Sequence, residues 1–454
     1  MTRLFFCFLL LSLPAVSWGQ ESPIPAEARI VTSESLATDY AETLSAADRV
    51  AGLSLLWSEA RYNFANFDLV PELDWDAHYH ATIPRVLAAA STADYYQELR
   101  RFYAALRDGH TAVYMPQELR DRFYTRPPVD TRLIEGRVLV EQVNSKALRA
   151  MGLSAGQEIL AIDGVAVHDY ATANVAPLQS ASTSQDLDVR VYTFGLLQGD
   201  ANKAVELRVS DAADRQQTFT VPRSGYDDDD ALESKPALFS VHDQGDGILL
   251  LDIRSFGDES VLDAFTEQFA DISQASGLII DLRHNGGGNS DIGWRILAQL
   301  VDRPFPTSRW KTRLYRPTFR AWSVPEAWSW HEGVDDEVEP HGEHYYAGPV
   351  AVLIGPRTYS AAEDFLAAFR QAKRGPIIGQ PSGGSTGQPL FIKLPGGGSA
   401  RVCTKRDLFA DGTEFVGIGV IPDILVTETV SDLRAGHDAS VAHAVRYVRE
   451  QQTR

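Results

Sequence analysis

Ser360 is a candidate for chemistry because its neighbours place it where a helix begins. The segment RTYSAAEDF (357–365) follows the apolar run AVLIG and starts a stretch with helical spacing. The positive end of a helix favours developing negative charge, as a reacting serine requires. Ser360 and Glu363 also have the spacing of a capping box, in which both side chains satisfy free N–H groups. The segment therefore predicts either a nucleophile or a structural cap.

The glycine-rich segment DLRHNGGGNS (281–290) is a second candidate. Consecutive glycines let backbone N–H groups closely approach an oxyanion or a phosphate. The segment lacks the last glycine of a dinucleotide-binding fingerprint and the Gly-Lys-Ser/Thr of a P-loop. It predicts either a tight turn or an oxyanion hole, in which the N–H of Gly286 or Gly287 joins that of Ala361.

A serine hydroxyl also needs a base that accepts its proton. His110, in RDGHT, lies just beyond an amphipathic helical pattern, although a lone histidine is more often structural than catalytic. Glu414 lies in the glycine-rich stretch GTEFVGIGVIPDI. His341 and His344 come closest to metal-site spacing, but they have no evident third ligand. We therefore predict no metal and no other cofactor.

The elements that would position these residues fall into successive regions. Residues 35–125 carry apolar and aromatic residues at helical spacing and predict a helical N-terminal domain. Residues 130–223 show strand-like alternation and glycine turns, which predicts a compact β-rich module. Residues 224–236 contain four consecutive aspartates without the ligand spacing of a calcium loop, which predicts a solvated acidic linker.

Residues 237–454 have a different pattern. The near-continuous apolar runs ILLLDI, GLIIDL and PVAVLIG predict strands that are covered on both faces. Amphipathic segments between them predict crossover helices, and thus an α/β core. A tryptophan-rich insertion at 301–347 interrupts this core, and we predict that it either covers a cleft or packs against a neighbouring domain.

Charge and the N-terminal segment limit the partners and the location of the protein. A formal net charge of −19 argues against nonspecific binding to nucleic acid or to anionic membranes.

Residues 1–19 combine an early arginine, a short apolar run and small residues, which predicts a secretory signal peptide. The run is too short for a stable membrane anchor, so we expect a periplasmic or extracellular protein. Loss of Cys7 with this segment leaves Cys403 alone, and we predict that it is a buried core residue.

These motifs, in this order, resemble the tail-specific (C-terminal processing) serine peptidases of the S41 type. GLSAGQEILAIDG is similar to the second half of that family's PDZ domain, with Gln157 where aspartate is usual. GLIIDLRHNGGG is similar to its glycine loop, TYSAAEDF to its nucleophile segment and GVIPDI to its closing motif. The resemblance implies a multidomain α/β + β fold, with a helical N-terminal domain, a PDZ-like module at 130–223 and a ClpP/crotonase-like α/β core at 237–454.

The base departs from the common form of that family. The common form uses a Ser–Lys dyad with lysine twenty-five positions after the nucleophile, where this chain has Ser385. The sequence resembles instead the tricorn-related branch, which uses a histidine from the N-terminal region and a glutamate. The resemblance therefore implies that His110 is the base, with a pKa near its usual value of about 6.5.

The same resemblance implies that Glu414 orients the histidine. Glu414 would act directly or through an intervening hydroxyl, either Thr111 or Ser385. Two other acids in the stretch, Asp407 and Asp411, are alternatives to Glu414.

The resemblance implies a serine endopeptidase that forms an acyl-enzyme on peptide or protein substrates. The PDZ-like module would add an extended peptide as a strand and recognise a C-terminus. The missing lysine suggests a first alternative, a noncatalytic ligand- or peptide-binding protein on the same scaffold. A second alternative is a hydrolase of small esters or amides. The sequence does not predict the oligomeric state.

Overall fold

The computed structural model describes residues 36–223, 236–334, 337–342 and 344–452. The predicted signal peptide (1–19) lies outside these residues, as does the predicted acidic linker (224–236) except for its last residue. Within the described ranges, no helix is both long enough and apolar enough to cross a membrane.

The N-terminal region is helical, as predicted. Ser45, Asp74 and Ser91 cap its three long helices, each accepting a hydrogen bond from a backbone N–H of the first turn. The elements are α1 (Ala46–Asn63), a 3₁₀ turn (Phe67–Leu69), α2 (Trp75–Ala88), α3 (Thr92–Ala104), β1 (Ala112–Tyr114), a 3₁₀ turn (Gln117–Leu119) and α4 (Arg120–Phe123).

The middle region is built on an antiparallel sheet in the order β2-β3-β4-β6-β7, with β5 paired to β4. Alternate strand residues turn inward, so that Val205, Leu207 and Val209 of one strand are all buried. Its similarity to a PDZ domain remains a prediction. The elements are β2 (Val129–Ile134), β3 (Arg137–Val143), α5 (Lys146–Ala150), β4 (Glu158–Ile162), β5 (Val165–Ala166), α6 (Val167–Tyr170), a π-helix (Ala171–Val175), a 3₁₀ turn (Ala176–Leu178), α7 (Ser184–Asp188), a π-helix (Val189–Gly195), β6 (Val205–Ser210) and β7 (Gln216–Val221).

The C-terminal region contains the predicted alternation of strands and helices. Its elements are β8 (Phe239–Asp243), β9 (Ile248–Ile253), α8 (Ser260–Ile272), β10 (Gly277–Asp281), α9 (Ser290–Leu297), β11 (Arg309–Tyr315), α10 (Pro317–Ala321), a 3₁₀ turn (Pro325–Ala327), β12 (Trp328–Val334), β13 (Val350–Ile354), α11 (Ala361–Ala372), β14 (Ile377–Gly379), β15 (Pro389–Lys393), β16 (Ser399–Cys403), β17 (Lys405–Leu408), β18 (Ile424–Leu425), α12 (Val430–Ala435) and α13 (Ala439–Gln452).

Six of these strands form the central sheet, in the order β18-β14-β13-β10-β9-β8. All neighbours are parallel except β8, which pairs antiparallel with β9. Helices α8, α9 and α11 bury one face of the sheet, and α13 buries the other. Both faces are therefore apolar, which explains the near-continuous hydrophobic strands.

The helical region does not have a core of its own. Its buried cluster includes Ile392 and Leu394 at one strand of a C-terminal hairpin, and Val402 and Cys403 of the other. The hairpin, β15 with β16, pairs with β1, so that one antiparallel sheet joins the helical region to the C-terminal region. Cys403 is fully buried in this cluster, as predicted.

The tryptophan-rich insertion forms two antiparallel strands, β11 and β12, which extend onto β17. Trp328 stacks on Tyr315 with ring centroids 4.4 Å apart and lies 6.0 Å from the ring of Tyr62 in α1. These contacts favour packing of the insertion against the helical region, although Trp322 is 68% exposed.

Candidate active site

Ser360 is the residue immediately before α11, at the end of the turn that connects β13 to this helix. Its backbone has φ +56° and ψ −124°, a conformation that is strained for a residue with a Cβ atom. A serine on a strained strand-to-helix turn presents its hydroxyl at the edge of the sheet. The glycine loop packs directly against it, because a Cβ atom at Gly287 would lie 2.6 Å from the Cβ of Ser360.

His110 reaches Ser360 from the loop between α3 and β1. Its Nε2 atom lies 3.0 Å from the Ser360 Oγ. The Asp108 carboxylate holds this loop, accepting hydrogen bonds from the His110 N–H at 3.0 Å and from the Thr111 hydroxyl at 2.9 Å. The imidazole also stacks on the ring of Tyr359, with centroids 5.3 Å apart. The structure thus brings together two residues that are 250 positions apart in the chain.

Two arginines from other regions fix the same loop. Arg190 and Arg401 both donate hydrogen bonds to the Gly109 carbonyl, at 3.3 and 3.0 Å. Arg190 also donates to the Tyr359 hydroxyl at 3.0 Å. Gly109 is required here, because a Cβ atom would lie 1.6 Å from that hydroxyl oxygen.

The pKa of His110 is well below its usual value. Burial is the main cause, and the positive charges of Arg401, Arg190 and Lys405 add to it. This corrects the expectation of an untuned histidine. The imidazole is neutral at pH 7 and can accept a proton on Nε2.

Ser385 occupies the other side of the imidazole. Its Oγ atom lies 2.8 Å from the His110 Nδ1. When Nε2 accepts the Ser360 hydrogen bond, Nδ1 carries the ring hydrogen and donates it to Ser385. Of the two predicted supporting hydroxyls, Ser385 therefore contacts the imidazole. The hydroxyl of Thr111 instead donates to Asp108 and accepts from the Cys403 N–H at 3.1 Å.

A buried carboxylate organises both serines. Glu363 accepts hydrogen bonds from the N–H groups of Ser385 at 2.9 Å, Gly384 at 2.7 Å and Ser360 at 3.2 Å, and from the Ser382 hydroxyl. Burial raises the pKa of Glu363 to about 7. Glu363, the second residue of the predicted capping box, therefore accepts from the Ser360 N–H, while the Ser360 hydroxyl contacts the His110 imidazole.

The structure does not bring Glu414 to the histidine. Its carboxylate pairs with Lys311 and with Arg406, whose Nη1 lies 3.2 Å away. Burial alone would raise the pKa of Glu414, but the Lys311 hydrogen bond and the Arg406 charge lower it. The prediction that Glu414 orients His110 is therefore wrong, because Lys311 and Arg406 bind the Glu414 carboxylate instead.

The two alternative acids are also held elsewhere. Asp407 is buried, and its carboxylate lies 2.9 Å from the Lys405 Nζ. Asp411 accepts from the Thr413 N–H at 2.9 Å in an exposed turn. Sequence reasoning missed Glu363 as the acid that accepts from the N–H groups of Ser360 and Ser385, although its capping-box spacing had marked it.

The predicted oxyanion donors differ in their present partners. The Gly287 N–H donates to the Asn285 Oδ1 at 2.9 Å. Within the described ranges, the N–H groups of Gly286 and Ala361 have no acceptor. Ala361 and Gly286 are therefore available donors, whereas Gly287 contributes the close packing that only glycine permits. No group of three or more potential metal ligands occurs in the described part of the chain.

The family model for peptidase family S41 matches residues 247–426. This range includes Ser360 and the glycine loop, and the match identifies it as a serine-type peptidase domain. The predicted resemblance to the S41 family is thereby confirmed, whereas its tricorn-related branch stays a prediction.

Two curated relatives are C-terminal processing peptidases by name. The chloroplastic C-terminal processing peptidase of Tetradesmus obliquus is 24% identical over 60% of this chain and 53% of its own length. The carboxy-terminal-processing protease of Bartonella bacilliformis is 31% identical over 21% of this chain and 22% of its own length. The matches thus span about half and about a fifth of these relatives.

Solved structures share the fold. Mature CPAF superposes with a TM-score of 0.70 at 17% identity, covering 90% of this chain and 98% of its own. The photosystem II D1 C-terminal processing protease gives a TM-score of 0.50 at 19% identity, covering 84% and 93%. At these identities the likeness concerns the fold alone.

Proposed function

From the S41 peptidase domain at residues 247–426 and the geometry around it, we propose that this chain is a serine endopeptidase. The observation that carries the proposal is the 3.0 Å contact between the Ser360 Oγ and the Nε2 of His110, whose Nδ1 is bonded to Ser385. Nucleophile and base are within hydrogen-bond reach, and a third group orients the base.

In the proposed first step, the Ser360 Oγ attacks the carbonyl carbon of a peptide bond. The hydroxyl proton moves to the His110 Nε2, and the imidazolium is stabilised by its Nδ1–H bond to Ser385. The carbonyl oxygen becomes an oxyanion that the N–H groups of Ala361 and Gly286 hold. The C–N bond then breaks as His110 protonates the leaving amine, which leaves an acyl-enzyme on Ser360.

In the second step, His110 takes a proton from water, and the resulting hydroxide attacks the acyl carbon. The same two N–H groups hold the second oxyanion. The C–O bond to Ser360 breaks, and His110 returns the proton to the serine. Glu363 is a positioning residue throughout, because its hydrogen bonds fix the backbone of Ser360 and Ser385 without reaching the reacting atoms.

The identity of residue 385 supports a histidine base over a Ser–Lys dyad. Ser385 occupies the sequence position of the dyad lysine, and it contacts His110 instead of acting as a base. This arrangement agrees with the tricorn-related branch. We further propose peptide or protein substrates, export through the N-terminal signal peptide and recognition of substrate C-termini by the PDZ-like module.

A fluorophosphonate probe, which reacts with activated serines, tests the proposal. We expect the mature protein to be labelled and the Ser360→Ala variant to remain unlabelled. Absence of labelling on the folded wild type would favour the noncatalytic alternative. Unstructured peptides and nitrophenyl esters should then be compared as substrates, since turnover of esters alone would favour the small-molecule hydrolase.

A further inference from the structure

Arg406, in β17, is a buried charge that the proposed mechanism does not use. Its side chain is fully enclosed, and arginine is rarely enclosed unless it is paired. Its Nη1 atom lies 3.0 Å from the Asp68 Oδ2 and 3.2 Å from the Glu414 Oε2, and its Nη2 atom also donates to Asp68. These two ion pairs balance the charge of the guanidinium and occupy its Nη atoms.

The Nε atom of Arg406 has a different kind of partner. It donates to the Oδ1 of Asn66, which lies 340 positions earlier in the chain, at 2.8 Å. Asn66 is also buried and lies between α1 and the 3₁₀ turn that follows it. Its Nδ2 atom donates in turn to the Asp108 Oδ2 at 2.8 Å. Asn66 therefore bridges β17 to the loop that carries His110.

Asp108 is the residue through which this bridge reaches the base. Its other oxygen, Oδ1, accepts from the His110 N–H at 3.0 Å and from the Thr111 hydroxyl at 2.9 Å. Burial raises the pKa of Asp108, and the Asn66 hydrogen bond is the largest of the contacts that oppose this rise. Asn66 thus helps Asp108 to remain a carboxylate, and the carboxylate holds the backbone of His110.

The side-chain amide of Asn66 can serve this bridge in only one orientation. A guanidinium can only donate and a carboxylate can only accept, so Oδ1 must face Arg406 and Nδ2 must face Asp108. Without the Arg406 Nε–H, the buried Asn66 Oδ1 loses this donor, and a reversed amide would place an oxygen against the Asp108 carboxylate. Arg406 therefore fixes which end of the amide meets Asp108.

We propose that Arg406 is a positioning residue for His110, which acts through the orientation of Asn66 and the carboxylate of Asp108. This role rests on the proposed function, because it concerns the base of the same site. The path joins three parts of the chain: β17, the end of α1 and the loop before β1. Arg406 acts on the placement of the imidazole and not on the reacting atoms.

The first test measures turnover of an unstructured fluorogenic peptide by variants of the full mature chain. Arg406→Lys keeps a positive charge for Asp68 and Glu414 but loses the planar fork that also reaches Asn66. It should lower kcat about tenfold or more and leave KM within about twofold of the wild type, because a misplaced base slows the chemical step. Arg374→Lys is the matched control and should keep kcat, since the Arg374 guanidinium donates to three backbone carbonyls outside the site.

A double-mutant cycle separates the proposed path from a general loss of structure. Asn66→Leu keeps a similar size but removes both contacts of the bridge, so it should lower kcat at least as much as Arg406→Lys. If Arg406 acts through Asn66, the double variant should be no slower than Asn66→Leu alone. Additive losses of kcat would overturn the proposal, because the two residues would then act separately. If circular dichroism shows that Asn66→Leu is unfolded, Arg406→Lys is read alone.

Nuclear magnetic resonance provides a second measurement that does not depend on turnover. The imidazole of His110 is titrated in protein that carries Ser360→Ala and ¹³C at the histidine Cε1. Arg406→Lys should loosen the loop and admit water, so the low pKa of His110 should rise towards its usual value of about 6.5, whereas Arg374→Lys should leave it low.

The two measurements distinguish this role from the proposed function. An unchanged His110 pKa, or wild-type kcat, in folded Arg406→Lys would overturn the positioning role. If the wild type neither cleaves the peptide nor reacts with the fluorophosphonate probe, while the His110 pKa still responds to Arg406→Lys, then the proposed function fails and the positioning of His110 by Arg406 stands.

Discussion

Ser360 and His110 rest on two regions that are held together in different ways. Ser360 follows a strand whose residues are all buried between apolar layers, and α11 beneath it packs on the same core. His110 lies on a loop fixed by buried charges, with Asp108 below it and Arg190 and Arg401 on the carbonyl of Gly109.

The difference concerns what each region can tolerate. Apolar packing is non-directional and depends on volume, so the nucleophile should keep its place when charges change. A buried polar network depends on every partner and on its protonation state. The position and the pKa of the base should therefore be the more sensitive half of the site.

The largest effect is expected from removing the base. His110→Ala should lower kcat/KM by about a thousandfold or more, because in the described part of the chain no other side chain is placed to accept the Ser360 proton. His80→Ala, an exposed histidine of α2, is the matched control and should leave kcat/KM unchanged. A His110→Ala enzyme that keeps most of its activity on a peptide would mean that another group activates Ser360.

Substitutions at two buried phenylalanines allow the core near Ser360 to be compared with the core near His110. Phe365 in α11 and Phe102 in α3 are both fully enclosed, and Phe102 stacks on Trp75 at 4.3 Å. Replacing either by alanine should reduce the free energy of unfolding by about 3–5 kcal/mol in urea titrations. Phe391→Ala, 59% exposed in β15, should change it by less than about 0.5 kcal/mol.

The kcat/KM of the folded Phe102→Ala variant then shows whether the His110 loop depends on the apolar core or on its polar contacts. Phe102→Ala should keep near-normal kcat/KM at a temperature well below its melting point, since polar contacts rather than Phe102 hold the His110 loop. A large loss of kcat/KM in folded Phe102→Ala would show that the loop depends on the apolar core after all.

Protonation of Glu363 should control the acidic limb of the pH profile. Its pKa is raised to about 7, above that of His110, so kcat/KM should rise through pH 7 as Glu363 ionises and accepts its N–H bonds. Glu363→Gln removes this titration. It should lower kcat/KM about tenfold and move the limb below pH 6.5, where His110 titrates.

Asp364→Asn is the control for this pH profile. Asp364 is the neighbouring buried acid, its pKa is also raised by burial, and it accepts from the Ser290 hydroxyl at 2.6 Å rather than from Ser385. Its variant should keep the limb near pH 7. If the limb moves in Asp364→Asn and stays in Glu363→Gln, then Asp364 is the controlling acid.

The sequence predicts the apolar region better than the polar one. The helical pattern of Tyr95, Leu99, Phe102 and Leu106 corresponds to four buried side chains, because periodicity reports burial directly. The C-terminal strand–helix alternation was confirmed for the same reason. The hairpin that completes the helical core lies almost 300 residues further on, and no local pattern reports such a contact.

The polar site depends on contacts that spacing does not encode. The sequence predicted that Glu414, an acid in a glycine-rich stretch, orients His110. In the structure its carboxylate instead forms ion pairs with Arg406 and Lys311. Ser385 meets His110 because Glu363 holds the N–H groups of Gly384 and Ser385. Ser360 and His110 could be named from motifs, whereas their partners required the three-dimensional arrangement.

The smallest effect is expected at Thr111, and it distinguishes support of the loop from support of the imidazole. Its hydroxyl links Asp108 to the Cys403 N–H. Thr111→Val therefore removes one donor to the Asp108 carboxylate and one acceptor of the Cys403 N–H, and should reduce the free energy of unfolding by about 1–3 kcal/mol. Thr111→Ser keeps the hydroxyl and should restore most of this stability. The pH profile of Thr111→Val should match the wild type, because the hydroxyl does not touch the ring. If Thr111→Val kept wild-type stability but shifted the acidic limb of the pH profile, the Thr111 hydroxyl would instead support the His110 imidazole.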